Sequence, residues 1–249
     1  MNSYGQPPFV LAASERNGGL AAAFVEQLNQ AVGPAIRFNL ETLPRRRLEL
    51  ELGNRAQLGL ALFLAPEFLL EPAQRVGSWS VPVMLDENLL VAMQPLKLSS
   101  LDDLRGLRLG GISGHIYRHL GPLIDSGLIT RDDAVDHIGN LRKLCLGRVD
   151  FVVISRSELA GTEPHARCSQ RFKSTAFPQP QVILRRVLVR MPTDESSRLV
   201  LDAIAAVACG ARWTAALAQY GLSTVSCRSG QPATVTSEVS AAGLPAFPP

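Results

Sequence analysis

The residues best suited to chemistry gather in one short stretch, Gly111-Ile112-Ser113-Gly114-His115-Ile116. A serine beside a histidine invites nucleophilic catalysis, but the stretch is not G-x-S-x-G, because His115 stands where the last glycine belongs. His115 and His119 are four apart and would share a helix face, as zinc ligands do. Ile116-Tyr117-Arg118 between them supplies no glutamate, and no third ligand is near in sequence. Neither G-x-x-x-x-G-K-[ST] nor G-x-G-x-x-G occurs. What the stretch offers is recognition. The apolar run Leu107 to Ile112 reads as a strand, and the turn after it would open a helix from about His115. Free N–H groups and the dipole at a helix start favour an anion such as a carboxylate, and Gly114 lets a ligand approach the backbone closely. The plainer alternative is an ordinary strand-to-helix turn with Ser113 as its N-cap.

Alternating β-like and helical runs must position this turn, and they predict an α/β protein with largely parallel sheets. Phe9 to Ala13 reads as a strand, and Leu20 to Ala31 as a helix with Leu20, Phe24 and Leu28 on one face. Ile36 to Leu40 is the next strand, Pro44 opens a helix to about Leu52, and Leu58 to Leu64 is a buried strand. A second unit follows Leu89 to Met93. Ser100 caps Leu101 to Leu104, a helix covers about Leu141 to Leu146, and Phe151 to Ile154 is a strand. The segments 52–58 and 146–151 share a pattern of helix end, glycine, polar turn and buried strand, as two similar lobes would. Val182 to Arg190 is a long β-like run that can return the chain to the first lobe, and Ser196 to Tyr220 is helical. Residues 223–249 are rich in Ser, Thr, Ala, Gly and Pro and read as a flexible tail.

Composition narrows the function. The net charge of +3 over 249 residues, with scattered basic residues, predicts no nucleic-acid partner. The densest run, Arg45-Arg46-Arg47, is offset by Glu49 and Glu51. No stretch approaches the roughly 18 apolar residues of a membrane helix, and the first residues lack the basic and apolar regions of a secretory signal. Read literally the chain would be cytoplasmic; the alternative is a mature form whose signal has been removed. Cys145, Cys168, Cys209 and Cys227 show no C-x-x-C spacing. Cys145 and Cys209 fall in apolar helical patterns and read as buried thiols, while an oxidising compartment would allow a disulfide of unspecified pairing.

In order, these motifs resemble the family 3 (polar amino acid type) solute-binding proteins of bacterial ABC transporters. Pro7-Pro8-Phe9 with Gly18-Gly19-Leu20 is similar to their opening loop and first helix. The stretch from Leu101 to Gly110 resembles their entry to lobe 2, with Ser113-Gly114-His115 at the ligand turn. Leu146 to Val152 and Gln219-Tyr220-Gly221 match later segments. The resemblance spans about residues 7 to 222. It implies a bilobed, type II periplasmic-binding-protein-like α/β fold. Lobe 1 would comprise residues 1–93 and 185–222, lobe 2 residues 96–181, with hinge strands at Leu89 to Met93 and Val182 to Arg190. It further implies a periplasmic monomer without cofactor or metal, a small-molecule ligand and a membrane permease as partner.

On this resemblance the ligand site comprises Gln6, Phe9, Phe63, Phe68, Ser113, Gly114, His115, Ile116 and Ser155. The sequence departs from the family's pattern at both ends of the amino-acid clamp. Phe68 stands where an Arg grips the ligand carboxylate, and Ser155 where an Asp takes the α-ammonium. The strand that usually precedes the Pro-Phe loop is also not contained in the chain. The expectation is therefore a binding protein, not an enzyme, for a small polar or weakly anionic ligand other than a standard α-amino acid. The alternatives are a sensory domain of the same fold, or a prephenate-dehydratase-like enzyme, for which only Glu67, Asp86 or Glu158 could supply the carboxylate. Arg75 and Arg156 are the spare cations.

Overall fold

The computed structural model describes residues 1–11, 18–54, 58–69 and 73–225. Where apolar residues recur with helical spacing, helices form and bury that face. α1 (Gly19–Val32) buries Leu20, Phe24 and Leu28. α2 (Arg45–Gly53) turns Leu48 and Leu52 inward and spends its charges on the pairs Arg45–Glu49 and Arg47–Glu51. These pack around β1 (Gly59–Leu64) and β2 (Ser78–Trp79). The second unit holds β3 (Met84–Ala92), β4 (Arg108–Ile112), α3 (Gly121–Asp125), β5 (Thr130–Ala134), α4 (His137–Cys145), β6 (Phe151–Ser155) and α5 (Arg156–Thr162). The chain returns through β7 (Lys173–Arg190) to α6 (Asp194–Ala208) and α7 (Ala211–Ala218). The fold is α/β and bilobed.

Two sets of buried side chains mark the lobes. One gathers Phe9, Phe24, Phe63, Val187, Ile204 and Trp213; the other gathers Leu90, Leu109, Leu120, Phe151 and Phe177. Among the described residues no single helix is long and apolar enough to cross a membrane. The bent pair α6–α7 passes on composition, but its apolar face, with Val200, Ile204 and Trp213, packs in the first core.

The sheet runs in the order β1-β7-β3-β6-β4-β5, with β2 also on β7. Among the described strands, only β4–β5 and β4–β6 pair in parallel; the pairs that carry the chain between lobes are antiparallel, so the expectation of largely parallel sheets holds for lobe 2 alone. β7 serves both lobes. Its C-terminal end pairs β1 and β2, and the rest pairs β3. The register slips between Asn88 and Leu89, whose partners are Gln181 and Ala176, so Phe177 to Pro180 bulge out of the ladder. The first crossing lies earlier than expected: Met84 packs in the lobe 1 core, whereas Leu89 to Ala92 already pack in lobe 2.

Further local expectations fail for identifiable reasons. Gln6 to Val10 form a turn rather than a strand, and residues 12–17 lie outside the described residues. Ile36 to Leu40 are extended but outside the sheet, because the Asn29 side chain satisfies both the N–H and the carbonyl of Phe38. Sheet-like bonding instead reaches Met1 and Asn2, which lie between Leu60–Leu62 on one side and Glu41–Leu43 on the other. No helix starts at His115; α3 begins at Gly121, beside Pro122. Ser223 is bonded to Leu85 of the hinge strand rather than trailing free, and residues 226–249 lie outside the described residues, as do 55–57 of the proposed internal repeat.

The cysteines among the described residues are not free thiols. Cys145 at the end of α4 is bonded to Cys168, and Cys209 is also in a disulfide.

Candidate functional site

The hinge strands place an ion pair between the lobes. Arg185 of β7 and Asp86 of β3 are each 1 % exposed, and Arg185 Nε donates to Asp86 Oδ2 at 2.6 Å. A buried pair is tolerable only when its remaining donors and acceptors are met, and here they are. Arg185 donates to the carbonyl of Phe63 and to Ser155 Oγ, both at 3.2 Å. Asp86 accepts from Ser157 Oγ at 2.6 Å and from the N–H groups of Glu87 and Ser157. Burial alone would lower the guanidinium pKa, but the neighbouring oxygens of Tyr4, Asp86 and Glu158 outweigh it and hold Arg185 charged. Its guanidinium carbon lies over the rings of Tyr4 (4.6 Å), Phe9 (5.2 Å) and Phe68 (6.0 Å), whose faces attract a cation. Phe63 adopts a left-handed backbone, φ 58°, inside β1, where the register slips. That is a costly conformation for a bulky residue, and the carbonyl of Phe63 is one of the groups that hold Arg185.

Beside the pair lies Glu158. Ser155 caps α5, accepting from Glu158 N and donating to Glu158 Oε2 at 2.7 Å. The other oxygen, Oε1, faces His137 Nε2 at 3.7 Å. His137 Nδ1 and Gln6 Oε1 are buried without a partner. His115, exposed at the turn, rests its ring on Tyr117 at 4.6 Å. Partial loss of water lowers its pKa, Glu158 opposes the shift, and His137, Arg131 and Arg45 add to it. Tyr117 is buried, which pushes its pKa up to about 12; its oxygen accepts from Ile112 N–H.

The expected site residues therefore separate into two groups. Ser113, Gly114, His115 and Ile116 are exposed on lobe 2, with Ile116 77 % exposed. Gly114 has φ 77°, a conformation the turn reserves for glycine. With no helix behind the turn, the helix-dipole reason for an anion there does not hold. Gln6 and Phe68 are half-buried on lobe 1. Phe9 and Phe63 are fully buried, their rings tilted against one another at 5.1 Å, so they are core residues and do not line an open cleft. Ser155 is buried and committed to capping. Arg156 is paired with Glu87 at 2.8 Å, and Arg75 is also engaged, so neither is a spare cation. Asp86 is buried in the pair and Glu158 lies beside it, whereas Glu67 is exposed on lobe 1. Sequence reading missed Arg185, Tyr4, Ser157 and His137. The spacing carried one usable hint, the adjacent Arg185 and Arg186 within the otherwise apolar run Val182 to Leu188. No group of three or more potential metal ligands occurs among the described residues.

Lobe-to-lobe contact beside this network is backbone against backbone. A Cβ on Gly161 of α5 would overlap the carbonyl carbon of Pro7 and the nitrogen of Pro8. Gly161→Ala should therefore destabilise the protein by about 1–3 kcal/mol through overpacking and loosen the Pro7–Pro8 loop. Thermal unfolding with amide exchange at residues 4–9 checks this; an unchanged melting temperature would mean the contact yields without cost.

No protein-family model matches the sequence, and no curated protein matches it. Solved structures do share its fold. An arginine-specific periplasmic binding protein of Salmonella typhimurium is 12% identical, with a TM-score of 0.62 over 88% of this chain and 96% of that one. An ancestral arginine-binding protein bound to glutamine is 16% identical, with a TM-score of 0.63 over 88% and 95%. A histidine kinase sensor domain with similarity to periplasmic binding proteins is 15% identical, with a TM-score of 0.68 over 90% and 96%. The fold is that of the bilobed periplasmic binding proteins.

Proposed function

We propose that this chain is a periplasmic solute-binding protein, not an enzyme, that closes its lobes over a small polar ligand and presents it to a membrane permease. The ligand would lie between Gln6 and Phe68 of lobe 1 and the turn Ser113 to Ile116 of lobe 2, with Glu158 and His137 at its inner wall. The fold supports this reading, and the disulfides suit an oxidising compartment.

The observation that carries the ligand class is the commitment of Arg185. An α-amino acid needs a free cation for its carboxylate, and the buried guanidinium of the cleft already spends its donors on Asp86, Phe63 and Ser155. Ser155 in turn replaces the expected ammonium partner. Two missing charge-assisted bonds, each about 1.5–3 kcal/mol, lower affinity by about a hundred-fold or more. Calorimetry with glycine, glutamine and histidine should accordingly show no submicromolar binding, and such binding by any of them would refute the assignment. A thermal-shift screen over organic acids, polyamines and amides identifies the ligand, since a true ligand raises the melting temperature by mass action. If no small molecule in so broad a panel shifts it, the binding-protein reading falls.

A further inference from the structure

A second space between the lobes lies apart from the Arg185 network. It is a cavity of about 550 Å³ with Pro7 and Val10 of lobe 1 on one side and Ile138, Arg142, His165 and Arg167 of lobe 2 on the other. None of these side chains takes part in the hydrogen bonds of Arg185, Asp86 or Glu158. Two guanidinium groups and an imidazole line it, with no carboxylate among its described lining residues, while both lobes contribute apolar walls.

The basic rim is held in place from several sides. Cys168 is bonded to Cys145 at the end of α4, so the segment carrying His165 and Arg167 is stapled to the helix carrying Arg142. Arg142 Nη2 donates to the carbonyl of His165 at 3.2 Å. Ala166, between the two basic residues, is 2 % exposed and its N–H is bonded to Glu163. Arg167 adopts φ 56°, a left-handed conformation that a long side chain rarely takes and that glycine would take freely. A cation held in an unfavourable backbone conformation, at the rim of a cavity lined by basic groups, is an arrangement that ligand binding explains and stability does not.

We propose that this cavity binds a small carboxylate bearing an apolar body, with its charge on Arg142 and Arg167 and its hydrocarbon against Ile138, Pro7 and Val10. Because both lobes line the cavity, such a ligand would hold them together from a position outside the cleft centre.

The test is calorimetry on the intact chain with hexanoate, hexylamine and inorganic phosphate. Hexanoate should bind with a Kd on the order of 1 mM or tighter. Hexylamine should not bind, and phosphate, lacking the apolar body, should bind more weakly. Arg167→Gly removes the guanidinium and suits the local φ, so it should keep or raise the melting temperature while weakening hexanoate about tenfold or more. Arg142→Gln should weaken it similarly. Absence of hexanoate binding, equal binding of hexylamine or phosphate, or unchanged hexanoate affinity in folded Arg167→Gly would each overturn the proposal.

Discussion

Replacing Asp86 with alanine should lower the stability of this protein by about 3–5 kcal/mol, because it leaves a buried guanidinium uncompensated. The loss exceeds one ion pair: Ser157 Oγ, Ser157 N and Glu87 N lose an acceptor together with Arg185. For a chain of this size the melting temperature should fall by about 6–20 °C. Removing both charges behaves differently, since a buried pair replaced by apolar groups of similar volume is often neutral. The double variant Asp86→Leu, Arg185→Met should therefore melt above Asp86→Ala, short of wild type by whatever Ser155, Ser157 and Phe63 lose as partners. If Asp86→Ala melts within a degree of wild type, the pair does not hold the hinge strands.

The second large effect concerns the bond between Cys145 and Cys168, which are 23 residues apart. Closing a loop of that length restricts the unfolded chain, and the chain-entropy account puts the stabilisation at roughly 3 kcal/mol. The double variant Cys145→Ser, Cys168→Ser should show this loss in denaturant unfolding, with the midpoint falling and the slope rising somewhat as the unfolded chain, no longer cross-linked, exposes more surface. Reductant should reproduce part of it in wild type and nothing at this site in the variant. A midpoint that does not move would mean that the loop is already held by the buried Ala166 and the Arg142–His165 contact.

Much of the fold was legible because it is local. The stripe Leu20, Phe24, Leu28 specifies α1, the run Phe151 to Ile154 gives β6, and Ser100 with Asp103 closes a capping box at the start of the Leu101–Leu104 turn. The cleft was less legible because its contacts are long-range. Arg185 and Asp86 are 99 residues apart, and nothing near either one announces the other. Strand-like composition at Ile36 to Leu40 could not reveal that Asn29, nine residues away from Phe38, would take the place of a neighbouring strand. The helix expected at His115 was displaced because Tyr117 folds back on Ile112 and Pro122 supplies a better first turn. The cysteines misled for a related reason: a helical apolar setting suggested thiols, whereas pairing depends on where the loop after α5 returns.

The bulge of Phe177 to Pro180 bears on how the two halves are joined. Two of its four residues are prolines, which have no N–H to donate, so the ladder between the crossing strands is interrupted by covalent structure and not by chance. The interruption lies on the lobe 2 side of Arg185, and Phe177 at its start is anchored in the second core. The ion pair at Arg185 sits just beyond it and is tied to both halves, through Phe63 on one side and Ser155 and Ser157 on the other. The two crossing strands therefore lose their backbone ladder beside Asn88 and Gln181, whose side chains bridge the gap at 3.3 Å.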